Sequence, residues 1–170
     1  GTHAVVDREE PLEVDRAGEL DRDAFERDAE CCGIGPVGDL LAGAEGGEDL
    51  EYWVTVMRLR EEGATVVSVG SDTESHAGKN GLTVRADVTA EGFDADGLDG
   101  LVIPGGHAPD KMRRDPAILD LVRTVHGRGL PIGIICHGGS VAISAGIVGA
   151  RATGSLGIKD DLVLAGAEWV

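Results

Sequence analysis

The run Pro131-Ile132-Gly133-Ile134-Ile135 stops at Cys136-His137, and Gly138-Gly139 then opens the helix-like stretch 140–147. A short aliphatic run of this kind is stable only when buried, and strand, tight turn and helix in this order are how an α/β fold holds a nucleophile. A thiol at a helix start meets unpaired backbone N–H groups, so the thiolate form is expected to be favoured. His137 stands ready to accept or share the proton, and the glycines allow a sharp turn with room for a substrate. The competing reading is a buried core cysteine beside a polar turn, because free cysteine is among the most buried residue types.

The rest of the chain repeats the alternation. Residues 37–44 predict a first strand, weakened by Asp39. The stretch 48–60 carries Leu50, Trp53, Val54 and Met57 at the i, i+3, i+4, i+7 spacing of an amphipathic helix. Its first turn is acidic, its last basic, and Gly63 follows as a cap. Residues 64–69 read as a valine-rich strand, 71–81 as a polar loop and 83–88 as one short edge strand. Leu101-Val102-Ile103 reads as a buried strand ending at Pro104-Gly105-Gly106. Asp115-Pro116 starts a helix with Ile118, Leu119, Leu121, Val122 and Val125 on its apolar face. Such alternation makes a parallel sheet covered on both faces, with ligands beyond the carboxyl ends of the strands. Three strand ends are therefore candidates for one site: Gly46-Gly47 with Glu48 and Glu51, Pro104-Gly105-Gly106, and Cys136-His137.

At 170 residues the chain has the size of one domain. Residues 1–36 are acidic and weakly patterned, an extension with at most a marginal helix over 19–29, and the folded domain is expected over 37–170. Only 3% of residues are aromatic, so the core must be built from aliphatic side chains. A net charge of −16 disfavours nucleic acid and anionic membrane as partners. It also resembles the solvation strategy of proteins from high-salt cytoplasm, where screening lengths of about 3 Å at 1 M salt quench self-repulsion. Lysine occurs only at 79, 111 and 159. Cys31, Cys32 and Cys136 make no disulfide framework, and their number and spacing fit a reduced, cytoplasmic protein. No secretory leader or membrane span is legible. The five histidines lack metal-ligand spacing and no G-x-G-x-x-G follows a strand, so neither metal nor organic cofactor is expected.

Four motifs in order carry a family resemblance: Glu48-Asp49-Leu50-Glu51-Tyr52; 101–110, ending Gly105-Gly106-His107-Ala108-Pro109-Asp110; Ile135-Cys136-His137-Gly138; and 157–161 with 165–169. Over residues 37–170 the chain resembles the ThiJ/PfpI superfamily, and within it the PfpI-type intracellular cysteine peptidases with their glyoxalase III-like and deglycase-like relatives. The resemblance implies an α/β, flavodoxin-like three-layer sandwich with a mainly parallel sheet, of the class I glutamine amidotransferase-like type. It implies Cys136 as nucleophile, His137 as its catalytic partner, and Glu51 as the carboxyl that hydrogen-bonds the thiol. Gly106 and the His137 backbone would bind the oxyanion. Asp110 falls where peptidase-type members carry a glutamate that completes the triad from a neighbouring subunit, implying a homo-oligomer with a shared site; otherwise it caps the following helix. Gly139 replaces a common proline and is expected to loosen the first helical turn. Ser155-Leu156 replaces a tyrosine and proline. Relatives continue beyond the position of Val170, so C-terminal elements are expected to be missing.

These residues imply a cysteine-dependent hydrolase or glyoxalase-type enzyme acting on a peptide or a small carbonyl substrate. A different class of function, a redox-sensing or chaperone-like stress protein using the same oxidisable thiol, shares the residues. A glutamine amidotransferase is disfavoured, because no histidine follows His137.

Overall fold

The computed structural model describes residues 39–41, 46–149 and 151–170. The expected 1–36 extension, Cys31-Cys32 and the ends of the first expected strand lie outside the described residues. Within them a five-stranded parallel sheet forms in the order β5-β2-β1-β6-β7. Its strands are β1 (Asp39–Leu41), β2 (Val67–Gly70), β5 (Val88–Thr89), β6 (Leu101–Ile103) and β7 (Ile132–Ile134). The chain reverses its direction of travel across the sheet between β2 and β6, which puts a crevice at the carboxyl ends of β1 and β6.

One expectation fails in this sheet. Residues 83–88 do not form a single edge strand: β4 (Thr83–Arg85) pairs antiparallel with β3 (Ser75–Ala77), inside the expected polar loop, and only β5 joins the main sheet. The reason lies at Ala86 and Asp87. Asp87 turns its carboxylate back to the Ser68 N–H at 2.9 Å and its own N–H to the Ser68 carbonyl at 2.8 Å, so the chain changes direction there.

Helix α1 (Asp49–Glu61) has acidic residues in its first turn and Arg58 and Arg60 in its last, and Gly63 follows at φ 87°. After β6 come α2 (Ala108–Met112) and α3 (Pro116–Gly127). Asp115 caps α3 by accepting from the Ala117 N–H at 2.9 Å, with Pro116 in the first turn. Asp110 therefore caps nothing; it sits within α2. The segment expected to carry the nucleophile is a single 3-10 turn (Cys136–Gly138) that runs into α4 (Gly139–Ala145).

Alternation along β6 creates the two sides of the sandwich. Leu101 and Ile103 pack with Met112, Ile118, Val122, Val125, Val141 and their neighbours from α2, α3 and α4. Val102 points the other way, against the cluster of Tyr52, Val56, Ala64 and Val66 beneath α1. Ile118, Val122, Val125 and Val141 are fully buried, each worth roughly 1.5–3 kcal/mol. On the α1 side the aromatic ring also brings a hydroxyl into the core, and Tyr52 meets Ser68 at 2.6 Å. This is the flavodoxin-like α/β sandwich.

A smaller third cluster lies beyond β7, where α5 (Lys159–Leu164) and the parallel pair β8 (Arg151–Ala152) and β9 (Glu168–Trp169) bury Ile158, Leu162 and Ala167. Between it and β7 opens a cavity of about 420 Å³ lined by Ile132, Ile134, Ala142, Val148 and Leu162.

Candidate active site

Three strand ends meet around one sulfur. The first comes from β7: Ile135 donates to the Ile103 carbonyl at 3.0 Å, and Cys136 then adopts φ 54°, the sole non-glycine residue at positive φ among the described residues. A side chain in this region carries strain, which the surroundings must overcome. They do so through the backbone. The Cys136 carbonyl accepts from Ser155 N–H at 3.2 Å, and Gly138 N–H closes the turn on Ile135 at 2.8 Å.

The second strand end is the Pro104-Gly105-Gly106 turn. A Cβ on Gly105 would lie 2.8 Å from the Cys136 Cβ, 2.9 Å from the His137 nitrogen and 2.7 Å from Glu51 Oε2. Gly106, at φ 78°, runs so close to the Gly46-Gly47-Glu48 backbone that a Cβ there would overlap the Glu48 nitrogen. The two segments are bonded through His107 N–H to Gly46 O at 2.8 Å and Glu48 N–H to Gly105 O at 3.3 Å.

The third is the start of α1. Glu51 Oε2 accepts from the Gly105 N–H at 2.6 Å, and the same carboxyl is in hydrogen-bonding contact with the Cys136 side chain. His137 turns Nδ1 to the sulfur at 3.2 Å. The backbone N–H groups of His137 and Gly106 are both directed at the sulfur. Donors placed there face the oxygen of a carbonyl under attack, the arrangement that stabilises an oxyanion.

The expected thiolate preference is reversed in the resting site. Burial pushes the Cys136 thiol above its ordinary value, the Glu51 charge and its hydrogen bond push further, and the two backbone N–H groups offset only part of this. The helix start is a local feature of the sequence, whereas the opposing effects come from burial and from a carboxylate 85 positions away. Ionisation of this thiol is thus coupled to the charge carried by Glu51.

Asp110 is not brought to His137 within the chain. Its side chain is 74% exposed and pairs with Arg114 at 2.8 Å. Gly139, expected to loosen the helix, is buried in it, and a Cβ there would press to 2.9 Å on Ile158 Cδ1. Ser155 acts through its backbone on the Cys136 carbonyl, whereas Leu156 is 80% exposed.

Two carboxylates anchor the α1 wall: Asp49, to which the sequence assigned no role, and Glu48, named there as a site candidate without its partners. Asp49 is 1% exposed and accepts from the N–H groups of Asn80 at 2.5 Å and Leu82 at 2.8 Å, so the β3–β4 loop is clasped to α1. Burial pushes its carboxyl up, but these backbone donors outweigh burial and hold it below its ordinary value. Glu48 takes Lys79 Nζ at 3.0 Å and Asn80 Nδ2 at 2.9 Å on its two oxygens. A carboxylate opening a helix before an Asn-Gly turn was the available signal.

Fold and site together define an α/β domain with a cysteine on a nucleophile elbow. The DJ-1/PfpI family matches residues 40–170, and the chain belongs to that family. It is 37% identical over 124 residues to "Deglycase PfpI" of Pyrococcus furiosus, covering 72% of this chain and 75% of that protein. To "Putative cysteine protease YraA" of Bacillus subtilis it is 34% identical over 124 residues, 72% of this chain and 73% of the relative. Among solved structures, a two-domain protein from Anabaena variabilis with DJ-1/ThiJ/PfpI-like and ferritin-like domains superposes with a TM-score of 0.76 at 36% identity. That match covers 80% of this chain and 39% of the longer one. Drosophila melanogaster DJ-1beta superposes at 0.74 with 24% identity, over 80% of this chain and 74% of that one, a likeness of fold. No described helix is long and apolar enough to cross a membrane.

Proposed function

We propose that this chain is a cysteine-dependent deglycase or glyoxalase-type enzyme, with Cys136 attacking an aldehyde or ketone carbonyl. The observation that carries the reading is the convergence on one sulfur of His137 Nδ1, the Glu51 carboxyl and the N–H groups of Gly106 and His137. The archaeal relative named a deglycase supports the substrate class.

In the attack, the sulfur forms a bond to the carbonyl carbon and the π electrons move onto oxygen, facing the Gly106 and His137 N–H groups. The thiol proton passes to His137 or Glu51 and returns to that oxygen, giving a hemithioacetal. With an α-oxoaldehyde, the proton on the former aldehyde carbon is removed and a proton is delivered to the adjacent carbon. The result is a thioester of the 2-hydroxy acid. Water then cleaves the C–S bond, releasing the acid and restoring the thiol. No net oxidation occurs, because one carbon is oxidised as its neighbour is reduced.

Peptide hydrolysis through an acyl-enzyme is a second reading, favoured by the relative named a cysteine protease. For this chemistry we place Asp110 in trans: its side chain is exposed in α2 and held by an exposed ion pair to Arg114, which contact with His137 of a second copy would replace. Specific activity of the peptidase would then fall on dilution.

The test is a side-by-side assay of 2-hydroxy acid production from methylglyoxal and of a fluorogenic peptide, with Cys136→Ser as control. Acid production that falls at least about a thousandfold in the variant supports the proposal. Equal rates in wild type and variant, or peptide cleavage without acid production, refute it.

A further inference from the structure

The thiol stands beside a wall of carboxylates. Glu51 touches it, Glu48 lies three residues earlier at the start of α1, and both are carried by a chain of net charge −16. A site that must at some stage hold a thiolate has reason to keep a cation near. Lysine is scarce in this sequence, yet one of its three lysines is fixed at this rim.

Lys79 is held there by a built loop. Its backbone N–H donates to Gly47 O at 2.8 Å, and its ammonium bonds Glu48 Oε2 at 3.0 Å. The next residue, Asn80, gives its side-chain amide to the other Glu48 oxygen and its N–H to the buried Asp49. Gly78 lies so close to Asp49 that no side chain fits. The side chain is half exposed, and its ammonium is stabilised chiefly by Glu48, with smaller contributions from the charge of Glu51 and from Cys136 once ionised.

Resting on the reading of Cys136 as nucleophile, we propose that Lys79 is a positioning residue: the clasped β3–β4 loop sets its ammonium as counter-ion to Glu48, Glu51 and the Cys136 thiolate. The ionisable groups at the sulfur are then Glu51 from α1 and His137 from the elbow, with the Glu48–Lys79 pair on the adjoining rim. The Ser155-Leu156-Gly157 turn contributes none. Removing the cation leaves Glu48 unneutralised on the rim of the site, so the thiolate becomes harder to form. Arginine keeps the charge, and removing Glu48 together with Lys79 restores the balance.

The test is the pH dependence of Cys136 alkylation by iodoacetamide, followed by intact-protein mass with the modified residue mapped, in wild type, Lys79→Gln, Lys79→Arg and Glu48→Gln/Lys79→Gln. The midpoint is expected to rise by about half a pH unit in Lys79→Gln, a roughly threefold slower reaction below it, with Lys79→Arg near wild type and the double variant moving back. A loop that merely needed the lysine for folding would leave the double variant as impaired as the single one, which overturns the inference. Identical profiles in wild type and Lys79→Gln overturn it too. The readout needs no turnover, so a protein that converts neither methylglyoxal nor peptide but keeps a Lys79-dependent profile refutes the proposed function and supports the counter-ion.

Discussion

The elbow that carries Cys136 and the helix that carries Glu51 meet across Gly105, and they are held there by different means. The elbow is set by backbone: a carbonyl taken by Ser155, a 3-10 turn closed on Ile135, and glycine at its closest neighbour. The start of α1 is set by side chains, Asp49 and Glu48 reaching into the β3–β4 loop and Glu51 to Gly105. Backbone places the nucleophile to within a small tolerance and is insensitive to pH. Side chains place charge, and make that half of the site responsive to pH and to single substitutions. The strain at Cys136 is therefore offset by contacts that no titration removes, while the proton inventory around it stays adjustable.

The largest expected effect comes from filling the seam between the halves. Gly105→Val is expected to abolish turnover, with a loss of stability on the order of 2–4 kcal/mol in urea unfolding, because the new side chain displaces both the Cys136 Cβ and Glu51 Oε2. A variant that unfolds like wild type and keeps its activity would show that the two walls are not in register at this residue.

Changing only charge should separate the halves. Glu51→Gln is expected to lower turnover by about a hundredfold through loss of a proton carrier. The same substitution should lower the alkylation midpoint of Cys136, since the Glu51 charge is one of the causes that raise it. Reactivity toward iodoacetamide at neutral pH then rises as catalysis falls. If both fall together, Glu51 supports the elbow mechanically and the division drawn above is wrong.

A smaller effect is expected at the anchor. The folded-state pKa of Asp49 is depressed, so its ionised form stabilises the fold, fully above its unfolded value near 3.8 and progressively less as pH falls through the folded value. Asp49→Asn should lower the urea midpoint at neutral pH and flatten the acid limb of the stability profile below about pH 4. Wild type and variant with parallel acid limbs would remove Asp49 as a titrating clasp. The smallest effect is expected at Leu156, where exchange for serine should change stability by no more than about 0.5 kcal/mol and leave kcat unaltered, as the side chain is mostly in water.

The comparison also explains what could be read before any coordinates. The helix over 116–127, the strands at 101–103 and 132–134, and the cysteine after the last of them were legible because each signal is local: periodicity, caps, aliphatic runs and glycine. The helix over 49–61 was legible from its end charges and Gly63, but its expected apolar stripe was not the buried one: Leu50, Val54 and Met57 face water, while Tyr52 and Val56 pack inward. Of the β3–β4 hairpin, β4 fell within the strand expected over 83–88, where Val84 alternates with exposed neighbours, but β3 was read as loop because its three residues are polar or small, and its anchor Asp49 reads in the sequence as an ordinary helix-start carboxylate. The site divides in the same way. Cys136, His137 and Gly106 announced themselves by position on an elbow and a turn.

By itself, then, the sequence determined an α/β domain, its parallel strands and the residue on its elbow, since these follow from short-range patterns that burial enforces. Tertiary structure decided the ionisation of that residue. Whether a thiol at a helix start favours its thiolate depends on burial and on a carboxylate brought beside it from another strand end, and both outweigh the local donors. It also decided that Asp110 stands apart from His137 within one chain and that Lys79 reaches the rim. Charges act through space, and only the fold settles which of them are neighbours.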